Sequence, residues 1–211
     1  MSRKLIVALL CIFAQTLVFA FPPLPSGQEL VFETSGWVKA KGTGGRLWPA
    51  ASALAKHLCV TDASRGSPVI ELGSGTGAVG IFAAALGSPS VVLSDHNQLT
   101  LATAQCNVKV NRKLMKDAKI RTVKYSWGDP IGELVGDCDG AQGLVLGSDI
   151  TFERKSHTAL CLTLRNLLGA NRFARCALLA HQHRDFAAFF GMSQLQHFLE
   201  IAILHDGCQS R

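Results

Sequence analysis

The chain has 211 residues, 48% of them apolar and 17% charged, enough for one domain with a full hydrophobic core and no interdomain linker. Its formal charge of +6 includes Arg3 and Lys4, and the other cations are scattered apart from Asn111 to Lys116 and Arg172 to Arg175, so no nucleic-acid partner is expected. Seven cysteines without a C-x-x-C pair or regular spacing argue against a disulfide-stapled domain and read as reduced thiols in apolar patterns.

Residues 1–20 combine Ser2-Arg3-Lys4, an apolar run from Leu5 to Phe19 and small residues at Val18-Phe19-Ala20, the layout of a secretory-type leader. The run is short for a membrane span and carries Gln15 and Thr16, so no lasting membrane association is expected once it is removed. Residues 21–29 are Pro-rich and read as a presequence or linker, with one domain over 30–211.

Leu30–Glu33 and Trp37–Ala40 read as two short strands around Thr34-Ser35-Gly36. The stretch Gly42 to Gly45 leads into a helix with Pro49 in its first turn and Leu47, Ala50, Leu54 and Leu58 at helical spacing. Then follow strand Val69–Leu72, helix Ala78–Leu86, strand Val91–Ser94 and a helix over 98–110. Strands at Ile120–Tyr125 and Gly143–Leu146 precede a helix over Phe152–Leu168, and strand Ala174–Ala180, helix Arg184–Phe190 and strand Leu199–Leu204 close the series. Such alternation predicts an α/β fold, a mostly parallel sheet with helices on both faces.

The chemistry gathers at Val69-Ile70-Glu71-Leu72-Gly73-Ser74-Gly75-Thr76-Gly77, where an apolar strand enters a glycine turn, and at Asp95, where the next strand ends. An open α/β sheet holds a nucleoside-bearing ligand in this way: main-chain N–H groups face it and the carboxylate accepts from the ribose hydroxyls. Gly75-Thr76-Gly77-Ala78-Val79-Gly80 also spells the dinucleotide fingerprint G-x-G-x-x-G, so a nicotinamide cofactor stays open on this turn alone, although no Tyr-x-x-x-Lys set follows. His181-Gln182-His183 lacks a third ligand at metal spacing, and no metal is expected.

Glu71-x-Gly73-x-Gly75-x-Gly77 resembles motif I of class I S-adenosylmethionine-dependent methyltransferases. Four further stretches stand where the crevice should be: Gly45-Arg46-Leu47-Trp48-Pro49, the Asn107 and Asn111 pair, Ser126-Trp127-Gly128-Asp129, and Leu146-Gly147-Ser148-Asp149-Ile150-Thr151-Phe152. With the glycine turn, and in the same order, they resemble the family 16 protein-lysine methyltransferases of the methyltransferase-like 21 type over residues 30–204. The resemblance implies a Rossmann-like seven-strand fold, S-adenosyl-L-methionine as cofactor and a lysine of a protein as acceptor. It also implies cofactor contacts from Trp48, Glu71, Gly73, Ser74, Gly75 and Gly77, a ribose contact from Asp95, Trp127 against the adenine, and Ser148 on the methionine side. Asp149 and Phe152 open and close its D-x-x-Y element and stand for the catalytic side.

Two departures carry expectations of their own. Phe152 replaces the tyrosine and removes a hydroxyl beside the target amine. Relatives continue past the Leu199–Leu204 strand into a last antiparallel strand, whereas this sequence stops at Arg211, so one sheet edge is expected to lie open. A fold that binds a partner protein with little turnover, or a small-molecule acceptor, remains an alternative. Phe21-Pro22-Pro23-Leu24-Pro25, just after the leader, resembles the start of a plastid presequence from an alga with a complex plastid.

Overall fold

The computed structural model describes residues 6–13, 21–34, 43–136, 143–168, 173–182 and 198–205. In chain order the elements are β1 (Ile6–Phe13), α1 (Pro49–Thr61), β2 (Val69–Leu72), α2 (Ala78–Ala85), β3 (Ser90–Asp95), α3 (Gln98–Val110), β4 (Lys119–Lys124), α4 (Gly132–Val135), β5 (Gly143–Ser148), α5 (His157–Leu167), β6 (Ala174–Gln182) and β7 (Phe198–His205). They build one seven-stranded sheet in the order β1-β7-β6-β5-β2-β3-β4. The five strands β2 to β6 run parallel, and β7 and β1 are antiparallel additions at one side.

Strand alternation sorts the core into two layers. Val69, Val91, Leu93, Leu144, Leu146 and Leu178 pack toward α1 and α2, where Leu54, Leu58 and Phe82 are fully buried. Ile70, Leu72, Val92, Val145 and Ala177 pack on the other face against Leu134 of α4 and Leu160, Leu164 and Leu167 of α5. Each large side chain so buried contributes about 2 kcal/mol. Pro49 sits at the start of α1, where its missing N–H costs no hydrogen bond, and Asn97 caps α3 by accepting from Leu99 N–H and Thr100 N–H.

From β2 the chain adds β3 and β4 on one side and then returns to lay β5 on the other side of β2. The sheet therefore reverses its order at β2 and β5, and a crevice opens at their carboxyl ends. Gly73 follows β2 and Asp149 follows β5, so both motifs arrive at one point.

Several expectations are corrected. Residues 30–33 are extended without a strand partner, and Trp37–Ala40 lies outside the described residues, as does Arg184–Phe190. Helix α5 starts at His157, after a 3-10 turn at Arg154–Ser156. The β7 strand is itself antiparallel to β6, and the edge beyond it, expected to be open, pairs with β1 from within the leader segment. Leu24 is buried and Phe21 packs edge-on against Phe32 and Phe82, so the presequence segment lies on the core. Cys176 is buried as expected, whereas Cys106 and Cys161 are exposed on helix surfaces. No described helix is long and apolar enough to cross a membrane.

Candidate functional site

The turn after β2 holds Gly73, Gly75 and Gly77 at φ of 60°, 55° and 78°. Ser74 N–H donates to the Ser94 carbonyl at 2.8 Å, and Gly75 N–H donates to Asp95 Oδ2 at 3.1 Å, so the turn is tied to the end of β3. A Cβ on Gly75 would lie 2.8 Å from the Gly44 carbonyl oxygen, and one on Gly73 would lie 2.8 Å from Ile150 Cγ2. The turn is bare main chain because the loops before α1 and after β5 press against it.

These loops enclose a cavity of about 520 Å3. Glu71, Gly73, Ser74, Gly75 and Asp95 line it from β2, the turn after it and β3, Trp48 from the loop before α1, Trp127 from the loop after β4, and Ser148, Asp149 and Phe152 from the end of β5 and the loop that follows. Gly77 lies elsewhere: it stands at the N-terminus of α2, and its Cβ position faces Leu93 and Ala104 in the core. The Ser74 hydroxyl is buried and has no hydrogen-bond partner, which leaves a donor and acceptor free beside the cavity. A nucleoside-bearing cofactor fits this donor set: the volume is that of a ligand site, the glycines admit close approach, and an unspent buried hydroxyl and a carboxylate face the space.

Glu71 lines this cavity, as its motif implies, and also braces the helix behind the turn. It is fully buried, and its Oε2 accepts the Gly80 N–H at 2.8 Å, which fastens the first turn of α2 to β2. Burial pushes its carboxyl up to about 8, and the nearby Asp95 charge adds to the rise, against the hydrogen bonds from Gly80 and Val79. Asp95 Oδ1 also accepts the Asn97 N–H at 2.9 Å, yet a carboxylate has lone pairs left for hydroxyls in the cavity.

On the β5 side Asp149 is a non-glycine residue at φ 57°, held there by its N–H bond to the Ala180 carbonyl at 2.8 Å. Its buried carboxylate turns back over β6, with Oδ1 3.3 Å from Gln182 N and 3.4 Å from His181 Nδ1. It therefore does not cap α5. Phe152 is 47% exposed at the rim, and Trp48 donates Nε1–H to the Thr43 carbonyl at 3.0 Å with the Arg46 guanidinium 5.4 Å from its ring centroid.

Sequence reasoning missed Thr43, Gly44, Asn97, Thr100 and Tyr125, which also line the cavity. Gly44 carried one signal, a glycine-rich stretch before a helix; the others look like ordinary loop and helix residues. Asn107 of α3 and Asn111 at its C-terminal cap, placed at the crevice by their motif, instead stand behind the turn and are not among the residues lining this cavity.

A family model described as lysine methyltransferase matches residues 28–199. EEF1A lysine methyltransferase 3 of Mus musculus is 33% identical over 178 residues, covering 83% of this chain and 73% of that protein. Calmodulin-lysine N-methyltransferase of Arabidopsis thaliana is 29% identical over 65% of this chain but 45% of its own length, and METTL21A of Danio rerio is 30% identical over 70% and 66%. Among solved structures, magnesium protoporphyrin IX methyltransferase from Synechocystis has a TM-score of 0.51 at 14% identity, covering 81% of this chain and 92% of that one. The methyltransferase domain of bacterial CtHen1 has a TM-score of 0.53 at 11% identity, covering 75% and 98%, and both share the fold.

Proposed function

The chain belongs to the lysine methyltransferase family, with S-adenosyl-L-methionine as methyl donor, and we propose that its acceptor is a lysine side chain of a protein substrate. The observation that carries this reading is the meeting, in one cavity at the reversal of the sheet, of a glycine turn bearing an unspent Ser74 hydroxyl with the carboxylate of Asp149.

Bound S-adenosyl-L-methionine supplies an electrophilic methyl group. The Gly73-Ser74-Gly75 main chain and the Ser74 hydroxyl offer polar contacts, Asp95 accepts from ribose hydroxyls, and the Trp127 indole gives a flat apolar surface suited to a purine. The attacking amine must be neutral, and a lysine with a pKa of about 10.4 arrives protonated. A carboxylate alone would hold that proton on. Asp149 therefore serves to draw in and orient the ammonium, and after water takes the proton it keeps the amine in line for displacement. Phe152 at the rim offers an apolar wall for the lysine stem, and Trp48 an apolar surface for the cofactor.

Calorimetry with S-adenosyl-L-homocysteine, followed by transfer of labelled methyl into a lysate of the same organism, tests both halves. Label in a protein lysine supports the reading; bound cofactor with label only in small molecules would falsify the protein-substrate half. Phe152, which lacks the tyrosine hydroxyl, favours a second reading, a partner-binding protein with little turnover, selected by tight capture without transfer.

The charged start, apolar run and small residues of 1–20 support entry into the secretory route, and Phe21 with its prolines supports onward delivery to a plastid. Cleavage after Ala20 would release β1 and uncover β7. A reporter fused to residues 1–35 that stays in the cytosol overturns this.

A further inference from the structure

Asn107 on α3 is fully buried and uses both ends of its amide: Oδ1 accepts the Glu33 N–H at 2.7 Å, and Nδ2 donates to the Glu33 carbonyl at 3.2 Å and to the Thr76 carbonyl at 3.0 Å. One helical turn later Asn111 accepts the Val31 N–H at 2.9 Å and donates to the Val31 carbonyl at 2.7 Å. Four residues on a helix rise about 6 Å and two residues of extended chain about 6.7 Å, so the two amides match alternate residues of the segment and replace a neighbouring strand. Leu30 and Phe32 turn the other way, into the core.

The two asparagines differ in one respect. Asn111 reaches only the segment and the Asn107 carbonyl, whereas Asn107 also reaches Thr76, inside the glycine turn. We propose that Asn107 is a positioning residue that ties the N-terminal strap at residues 30–33 to the cofactor turn, so that cofactor affinity depends on a strap that lines no part of the cavity. Without the Asn107 donor, the Thr76 carbonyl must find another partner, and the turn leaves the arrangement that presents Ser74 and Gly75. Cofactor binding must then restore that arrangement, at the expense of affinity. The inference rests on the methyltransferase reading.

The test uses the full chain, S-adenosyl-L-homocysteine as calorimetric probe, and the variants Asn107→Ala and Asn111→Ala. Both should lower Tm, but N107A should raise Kd about tenfold, the factor that one lost buried hydrogen bond yields, and N111A less than twofold. In turnover, N107A should raise KM for the cofactor more than it lowers kcat. A Kd within twofold of wild type for N107A, or an equal rise in N111A, overturns the proposal. Should N107A fail to fold, Glu33→Pro removes the N–H given to Asn107 Oδ1 and leaves the Asn107 side chain in place, and an unchanged Kd there overturns the strap's part. A wild-type chain that binds no probe overturns the functional reading and this inference together, whereas wild-type binding with an unaffected N107A overturns the inference alone.

Discussion

Gly75 N–H donates to Asp95 Oδ2 at 3.1 Å, which locks the turn after β2 to the acid at the end of β3. Asp95 thus shapes the turn as well as facing the cavity. Removing it should weaken cofactor binding twice over: Asp95→Ala is expected to raise the S-adenosyl-L-homocysteine Kd by about 10- to 100-fold, given about 1.5–3 kcal/mol for hydrogen bonds to a charged group. Asp95→Asn, which keeps one acceptor, should lose less. Calorimetry at fixed pH measures both, and wild-type affinity in D95A contradicts the assignment.

The same turn predicts a backbone effect at Gly75. Its φ of 55° disfavours any side chain, and an added Cβ would meet the Gly44 carbonyl oxygen, which is main chain and yields little. Gly75→Ala should destabilise the fold by about 1–3 kcal/mol and weaken cofactor binding. Urea unfolding reads the first effect. An unchanged midpoint would mean that the loop over Gly44 moves aside freely.

What was legible in the sequence follows from how locally each feature is coded. Val69 to Gly77 and Asp95 lie on adjacent strands, so residue type and spacing sufficed to bring them together. Leu30 to Glu33 reads as a strand, yet no strand forms there: its partners are side-chain amides more than seventy residues away, and no periodicity encodes that. Glu71 was legible as a cavity residue, but its bond to the Gly80 N–H at the start of α2 was not, because a motif gives residue types and no hydrogen-bond partners. The left-handed backbone of Asp149 goes with its N–H bond to Ala180 on the neighbouring strand, and α5 starts only after the 3-10 turn at Arg154–Ser156; residue type announces neither. An apolar run such as Ile6–Phe13 suits a leader and an edge strand equally.

Glu71 predicts a pH dependence. Its carboxyl has a pKa of about 8 in the folded chain against 4.5 for the free group. Between these values the folded state binds the extra proton, so this group's contribution to stability falls as pH rises from 4.5 to 8 and is level above. At about 1.4 kcal/mol per pKa unit the change is on the order of a few kcal/mol. Glu71→Gln keeps an acceptor for Gly80 N–H without the titration, so its unfolding free energy should lose this downward slope. Urea unfolding at pH 5 and pH 8 compares the two chains, and identical slopes would contradict the burial argument.

Phe152 at the rim is nearly half exposed, so an added hydroxyl meets water rather than a packed wall. Phe152→Tyr should leave stability within about 0.5 kcal/mol. A hydroxyl at this position of the cavity mouth can accept from the incoming ammonium, so KM for the protein substrate should fall a few-fold. Steady-state methylation of the purified substrate measures it, and an unchanged KM would place the lysine away from Phe152.

Asp149 gives the sharpest separation between binding and turnover. Asp149 lines the cavity shared with the glycine turn, and its backbone sits at φ 57°, a conformation that asparagine adopts with little strain but alanine resists. Asp149→Asn therefore removes the charge while keeping shape, backbone and the bond from Gln182 N–H. If the carboxylate holds the ammonium, N-methylation should drop at least about 100-fold, in the range that a lost transition-state contact costs, while the S-adenosyl-L-homocysteine Kd stays within twofold of wild type. Alanine at the same position would confuse this with backbone strain, which makes asparagine the better test. Should D149N lose cofactor affinity and turnover in equal measure, Asp149 belongs to the cofactor side, and the lysine must be oriented by another group at the mouth.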